Sequence, residues 1–217
     1  MKKLYGIGTG PGDPDLLTLK AIKAMKDANI IFAPNNKGKN MALDTAKEFI
    51  QDKEIVYIDF PMGYVTRDDY REAAEKIFDS IPDGEKGAFL TIGDPMIYST
   101  FIYIMEELEG EEIDVEIISG IPSFVASAAA AKIPLTVKSD NFILCDEFQE
   151  GLIEHGDSIA ILKTLKEKES IIRILEENDY DYRYIKKVTL AEEEILRDRK
   201  DILGDKNYMS LILARKK

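Results

Sequence analysis

Three short segments gather the residues able to do chemistry, and each sets glycine or proline beside small polar side chains. The first is Gly6-Ile7-Gly8-Thr9-Gly10-Pro11-Gly12-Asp13-Pro14-Asp15. Glycines in such a turn let the backbone approach a ligand closely or adopt positive φ. Asp13 is placed to cap a following helix, with Pro14 at its first position. The second is Thr91-Ile92-Gly93-Asp94-Pro95-Met96-Ile97-Tyr98-Ser99-Thr100. It carries an apolar run into a polar first helical turn, and Asp94 reads equally as an N-cap and as a ligand contact. The third is Ser119-Gly120-Ile121-Pro122-Ser123-Phe124, where Pro122 and Ser123 can start a helix unaided. Together the segments offer backbone groups, glycines and small hydroxyls. Such a surface suits a compact, mostly uncharged ligand better than a triphosphate.

Several chemistries fail on the same residues. A dinucleotide turn needs a third glycine at 11 or 13, which are Pro11 and Asp13. An acidic Asp13 at a helix start would also repel a pyrophosphate, and no Gly-Lys-Ser or Gly-Lys-Thr exists for a P-loop. Cys145 and His155 are the single copies of their types. They form no disulfide and fall short of a nitrogen–sulfur metal site, so no protein-bound metal is expected. A packed thiol and a surface imidazole are the simplest readings. The net charge of −12 argues against nucleic acid and against an anionic membrane surface. Met1-Lys2-Lys3 is followed by no apolar signal core, and no run approaches the ~18 apolar residues of a membrane span. A cytoplasmic location is therefore expected.

The elements that must position these segments alternate. Strands are predicted at Lys3–Gly8, Asn29–Ala33, Glu54–Asp59, Lys86–Ile92 and Val115–Ile118. Helices are predicted between them at Asp15–Ala28, Met41–Gln51, Asp68–Ile81 and Tyr98–Leu108. That order implies a parallel sheet covered on both faces. A helix over Gly120–Ala131 opens a second unit, with strands at Phe142–Cys145, Ser158–Lys163, Arg183–Leu190 and Tyr208–Ala214. Its one long helix is predicted over Lys166–Asn178, and fewer helices per strand there imply a mixed sheet. The fold class is thus α/β, with two α/β domains at 1–116 and 117–217. The three turns would line a cleft between them.

Taken together, the segments resemble the tetrapyrrole methylases. Gly8-Thr9-Gly10-Pro11-Gly12-Asp13-Pro14-Asp15-Leu16-Leu17-Thr18-Leu19-Lys20-Ala21 is similar to that family's opening motif. Gly93-Asp94-Pro95 is similar to its second, and Gly120-Ile121-Pro122-Ser123 to its third, with Ser119 standing where proline is usual. The resemblance spans essentially the whole chain. Two stretches resemble the branch that methylates carbon 20 of precorrin-2 or its cobalt form. These are Phe60-Pro61-Met62 with Thr66-Arg67-Asp68, and Gly93 to Thr100 with Tyr103 after it.

The resemblance implies S-adenosylmethionine as methyl donor and a homodimer. It implies cofactor contacts at Pro11, Gly93, Asp94, Ile97, Tyr98, Pro122, Ser123 and Lys163, and a small-molecule tetrapyrrole as substrate. Carbon 20 is a meso position conjugated to pyrrole nitrogens, hence already nucleophilic, so alignment matters more than a reactive side chain. Tyr98 and Asp94 are the candidates for assisting proton removal. The polycarboxylate substrate calls for local cations in an acidic protein. Arg67 and Arg71, one helical turn apart, are the preferred clamp, and equally a solvated helix face. Ser99 and Thr100 are further substrate candidates, and Lys37, Lys39 and Lys132 weaker cations. The alternatives are a methylase of the same fold acting on another ring carbon or on a macromolecule, and a noncatalytic nucleotide-binding module.

Overall fold

Along Lys2–Gly8, Ile30–Pro34 and Lys86–Thr91 side chains alternate between two faces, and both sets are largely buried. That double burial is why the strands read as continuous apolar runs. The computed structural model describes residues 1–35, 40–61, 65–164 and 167–217. They divide into two compact units, Met1–Pro122 and Ser123–Lys217. The division falls beyond the expected 116/117, because Ile113–Ile118 pairs along its whole length with the first strand.

The first unit contains β1 (Lys2–Gly8), α1 (Leu19–Asp27), β2 (Ile30–Pro34), α2 (Met41–Ala46), β3 (Glu54–Ile58), α3 (Arg67–Ser80), β4 (Lys86–Thr91), α4 (Thr100–Glu107) and β5 (Ile113–Ile118). The strands form a five-stranded sheet in the order β3-β2-β4-β1-β5, every pair parallel. Tyr5, Ile7, Ile31, Ala88, Leu90 and Ile118 join one core with Ala21, Met25 and Ala46 from α1 and α2. Their chain neighbours Leu4, Ile30, Phe32 and Phe89 join the other core with Ala74, Ile77, Phe101 and Ile104 from α3 and α4. Gly6 lies under Phe101, since a Cβ there would come within 2.8 Å of ring atom Cδ1.

Helix boundaries differ from expectation where local capping intervenes. The helix expected over Asp15–Ala28 is a 3₁₀ turn at Pro14–Leu16 followed by α1. Asp13 caps the turn, accepting from the Asp15 N–H at 2.9 Å, while Thr18 takes extended backbone and caps α1 through the Ala21 N–H. Likewise Met41–Gln51 resolves into α2 and a 3₁₀ turn at Lys47–Phe49. Helix α3 opens on a capping box between Thr66 and Asp69.

The second unit contains α5 (Ser123–Ala131), β6 (Phe142–Cys145), β7 (Ser158–Leu162), α6 (Lys168–Glu177), β8 (Tyr180–Lys186), β9 (Glu194–Leu196), α7 (Arg199–Gly204) and β10 (Ser210–Lys216). Its sheet runs β6-β7-β10-β8-β9. The β6–β7 pair is parallel and the others antiparallel, the mixed arrangement expected. Strand β8 starts earlier than the expected Arg183, because Tyr180 and Tyr184 point inward and are 2% and 0% exposed. It ends before Leu190 because Lys187 adopts φ 47°. Strand β9 and helix α7 were not anticipated. The short α7 is held at one end by Asp198, which accepts from the Lys200 and Asp201 N–H groups. At the other end the buried Lys168 ammonium donates to the carbonyls of Ile202 and Asp205. Among the described residues, no helix is long and apolar enough to cross a membrane. Lys166, the expected first residue of α6, lies outside the described residues.

The lone cysteine is packed and His155 is exposed, as the sequence suggested. Burial, then the nearby Asp146 carboxylate, pushes the Cys145 thiol up to about 11. The native protein should therefore react sluggishly with Ellman's reagent at pH 8 and release one equivalent of thiolate only on unfolding in guanidinium. Fast stoichiometric reaction of the native protein would contradict this burial.

Candidate active site

The three chemistry-bearing turns meet because their strands are neighbours. In the order β4-β1-β5, Gly8 pairs with Thr91 and Ile7 with Ile118, so all three strands leave the sheet at one level. Carboxyl ends of parallel strands are where α/β sheets open crevices for ligands. The first two turns then continue to bond each other. Thr9 N–H donates to the Thr91 carbonyl at 2.8 Å, and Gly10 and Gly93 exchange backbone hydrogen bonds of 3.2 and 2.8 Å. Gly10 at φ 73° and Gly93 at φ 72° occupy the left-handed region that favours glycine.

Backbone contact holds the third turn against the other two. A Cβ on Gly8 would stand 2.5 Å from the Gly120 nitrogen, and one on Gly120 would stand 2.7 Å from the Gly8 carbonyl and overlap the Gly93 oxygen. Asp94 adds a polar brace. Its Oδ1 accepts from the Met96 N–H at 2.9 Å and its Oδ2 from the Gly120 N–H at 3.2 Å. The carboxylate is 8% exposed. Asp94 thus closes its own turn and ties it to the β5 turn, rather than capping α4. The cap of α4 is Ser99, whose Oγ accepts from the Phe101 N–H and lies 3.2 Å from Thr91 Oγ1. The helix expected from Tyr98 therefore starts at Thr100. Tyr98 itself takes φ 46° and is half exposed, an uncommon conformation for a bulky residue.

The predicted residues separate accordingly. Pro11 is buried in the first turn, Ile97 and Pro122 are half-buried, and Pro122 Cα faces the open side of Gly93. These join Gly93, Asp94 and Tyr98 around one corner of the first unit. Thr100 is half-buried as the first residue of α4. Ser99 is only 6% exposed and committed to capping, so its hydroxyl is taken by the fold. Ser123 opens α5 in the second unit. Lys163 follows β7 at φ 54° and pairs with Asp146 at 2.9 Å. Lys132 is exposed at the end of α5, and Lys37, Lys39 and Met62 lie outside the described residues.

Arg67 and Arg71 come together on α3 and share an acidic partner. Arg67 Nε bonds Glu107 Oε1 at 2.6 Å, while Arg71 reaches Glu107 Oε2 at 3.5 Å and Asp68 at 3.0 Å. The Arg67 guanidinium beside Glu107 holds that carboxyl below its usual range. Sequence reasoning missed Thr9, fully buried with its hydroxyl on the Thr91 carbonyl. It also missed the Asp94–Gly120 bond and Glu107. Nothing in local spacing signals these contacts, which depend on strand order.

The corner suits a nucleoside-bearing sulfonium better than a phosphate ligand. Glycine backbone and small polar groups surround a carboxylate satisfied by two N–H donors, and that carboxylate would repel a phosphate. Among the described residues, no three histidine, cysteine, aspartate or glutamate side chains gather to hold a metal.

Known proteins resemble this chain along most of its length. The family model for tetrapyrrole (corrin/porphyrin) methylases matches residues 3–201. A probable cobalt-precorrin-2 C(20)-methyltransferase of Methanocaldococcus jannaschii is 35% identical, covering 100% of this chain and 97% of that protein. The cobalt-precorrin-2 C(20)-methyltransferase of Salmonella typhimurium is 32% identical over 74% of this chain and 72% of its own. A crystal structure of Thermus thermophilus uroporphyrin-III C-methyltransferase, complexed with S-adenosylhomocysteine, superposes with a TM-score of 0.71. It is 18% identical and covers 98% of this chain and 97% of its own.

Substitutions at the corner should behave by contact rather than by residue type. Gly120→Ala forces a Cβ into backbone and should destabilise the protein by about 3 kcal/mol, whereas Gly151→Ala, with open space around it, should stay within about 0.5 kcal/mol. Asp94→Ala strips two N–H groups of their acceptor and should cost roughly 2 kcal/mol. Denaturant titration measures all three, and equal effects at Gly120 and Gly151 would refute the close approach.

Proposed function

Because the chain belongs to the tetrapyrrole (corrin/porphyrin) methylases, we propose that it transfers a methyl group from S-adenosylmethionine to carbon 20 of precorrin-2 or cobalt-factor II. The observation that carries this reading is the corner where Gly8, Gly93 and Gly120 touch and Asp94 braces the turns. The end-to-end similarity to a carbon-20 methyltransferase supports the ring position.

When bound, S-adenosylmethionine supplies a sulfonium methyl that needs no further activation. The chain's residues have to hold donor and acceptor in line, an effect that can be worth ~7–11 kcal/mol. Pro11, Gly93, Ile97 and Pro122 form the donor's walls, with backbone groups supplying its hydrogen bonds. Asp94 serves as the brace of the corner, because both its oxygens are already engaged by N–H groups. Tyr98, half exposed on a left-handed backbone, is the side chain assigned to assist the proton leaving carbon 20 on its way to solvent. Thr100 lies beside it, on the first turn of α4. Any cobalt travels with the macrocycle. The enzyme acts as a cytoplasmic homodimer, and its acidic charge disfavours nucleic acid as a partner.

Incubation with methyl-labelled S-adenosylmethionine and precorrin-2, with and without cobalt, should yield a product one methyl heavier and labelled at carbon 20. Label at another carbon would place the chain in a different branch of the family. Donor binding without transfer to any tetrapyrrole would favour a noncatalytic nucleotide-binding module. Tyr98→Phe should lower kcat with donor affinity intact, and full turnover in that variant would remove Tyr98 from the chemistry.

A further inference from the structure

The groove between α3 and α4 carries a row of rings that hydrophobic packing alone does not explain. Phe60 and Tyr70 stand 5.9 Å apart, and Tyr70 stacks on Tyr103 at 4.6 Å with 20° between planes. Phe60 and Tyr70 are partly covered, but Tyr103 is 48% exposed. A ring recruited only for helix packing would be buried, as Phe101 and Ile104 of the same helix are. Among the described residues the outer face of Tyr103 has no aromatic partner.

Its surroundings specify an occupant. Tyr103 lies one turn along α4 from Ser99, about 6 Å by helical rise, and Ser99 touches Thr91 at the candidate corner. A macrocycle whose reacting edge sits at that corner is wide enough to cover Tyr103. Arg67 is one turn before Tyr70, and Glu107 one turn after Tyr103, on the same side of the groove. Glu107, with a side chain only 10% exposed, bonds Arg67 through Nε. The Arg67 side chain is 80% exposed, which leaves its two terminal nitrogens to solvent in the geometry that receives a carboxylate. Arg71 differs, since one of its terminal nitrogens is taken by Asp68. An exposed flat ring beside a pre-oriented guanidinium complements a flat conjugated molecule with carboxylates at its rim.

We propose that Tyr103, backed by Tyr70, is the stacking platform for the substrate macrocycle, and that Arg67 pairs with one of its peripheral carboxylates. This rests on the methylase reading and assigns that substrate a place on the first unit. Glu107 is a positioning residue that aims Arg67 without touching the ligand.

Two titrations test it on the intact protein. One follows the Soret band of uroporphyrin III, a flat polycarboxylate, and the other measures KM for precorrin-2. The Kd for S-adenosylhomocysteine is measured alongside. Tyr103→Leu should weaken both macrocycle readouts about three- to tenfold, the span of one ring-stacking contact, while Tyr103→Phe stays within about twofold. Arg67→Gln should weaken them and flatten their salt dependence, with the S-adenosylhomocysteine Kd unchanged in every variant. Should Tyr103→Leu fail to fold, the exposed Arg67 position still decides the outcome.

The platform is overturned if folded Tyr103→Leu and Arg67→Gln proteins keep the parental macrocycle affinity, or if donor affinity falls in parallel. Precorrin-2 methylation with a KM indifferent to both residues rejects the platform and leaves the methylase reading standing. Macrocycle binding through Tyr103 without methyl transfer does the reverse. A parental protein that binds neither macrocycle rejects both.

Discussion

Three backbones that approach too closely for any side chain to intervene govern the rest of the first unit. Gly8, Gly93 and Gly120 end or follow adjacent strands, and each occupies space a Cβ on its neighbour would need. This contact is possible only where strand order puts β1 between β4 and β5. Once made, it leaves little freedom to the turns that follow. Gly10 and Gly93 take left-handed backbone to exchange hydrogen bonds, and Asp94 reaches over to the Gly120 N–H.

The brace has consequences beyond its own bonds. With its carboxylate committed, Asp94 cannot start α4, so the helix begins later, at a cap supplied by Ser99. Tyr98 is left in the intervening turn, on strained backbone, with half its surface in water. Side chains that look equivalent in the sequence thereby acquire different duties. Asp94 and Ser99 maintain the corner, while Tyr98 and Thr100 remain on its rim. Chemistry that depends on alignment requires such rigidity, because small displacements of reacting atoms are costly.

Charge in this unit is arranged locally against a strongly acidic background. Glu107 is largely covered and holds two guanidiniums, one of which keeps its terminal nitrogens exposed. Elsewhere Glu116 is gathered by Lys20 and Lys3, which hold its carboxyl down at about 2. Fixing cations with internal partners lets a protein of net charge −12 present positive charge in a defined direction.

Much of this was legible from residues alone. Apolar runs between turn signals located the five N-terminal strands, and their alternation with helices gave a parallel sheet, since such crossovers connect parallel neighbours. The glycine turns were visible as the places where backbone would have to approach backbone or ligand. Helix starts were misplaced at Asp15 and Tyr98 because Asp13 competes with Thr18, and Asp94 with Ser99, as caps, and the folded chain's bonds decide between them. Strand β9 and helix α7 escaped because three and six residues carry too little periodicity to stand out. Residue order alone settled which segments could be strand, turn or helix, because those preferences are local. Long-range packing was needed for Asp94 to bond Gly120, for Arg67 to rest on Glu107 and for Tyr103 to stack on Tyr70. Those contacts join residues 26, 40 and 33 positions apart, and strand order and helix packing, not local preference, bring them together.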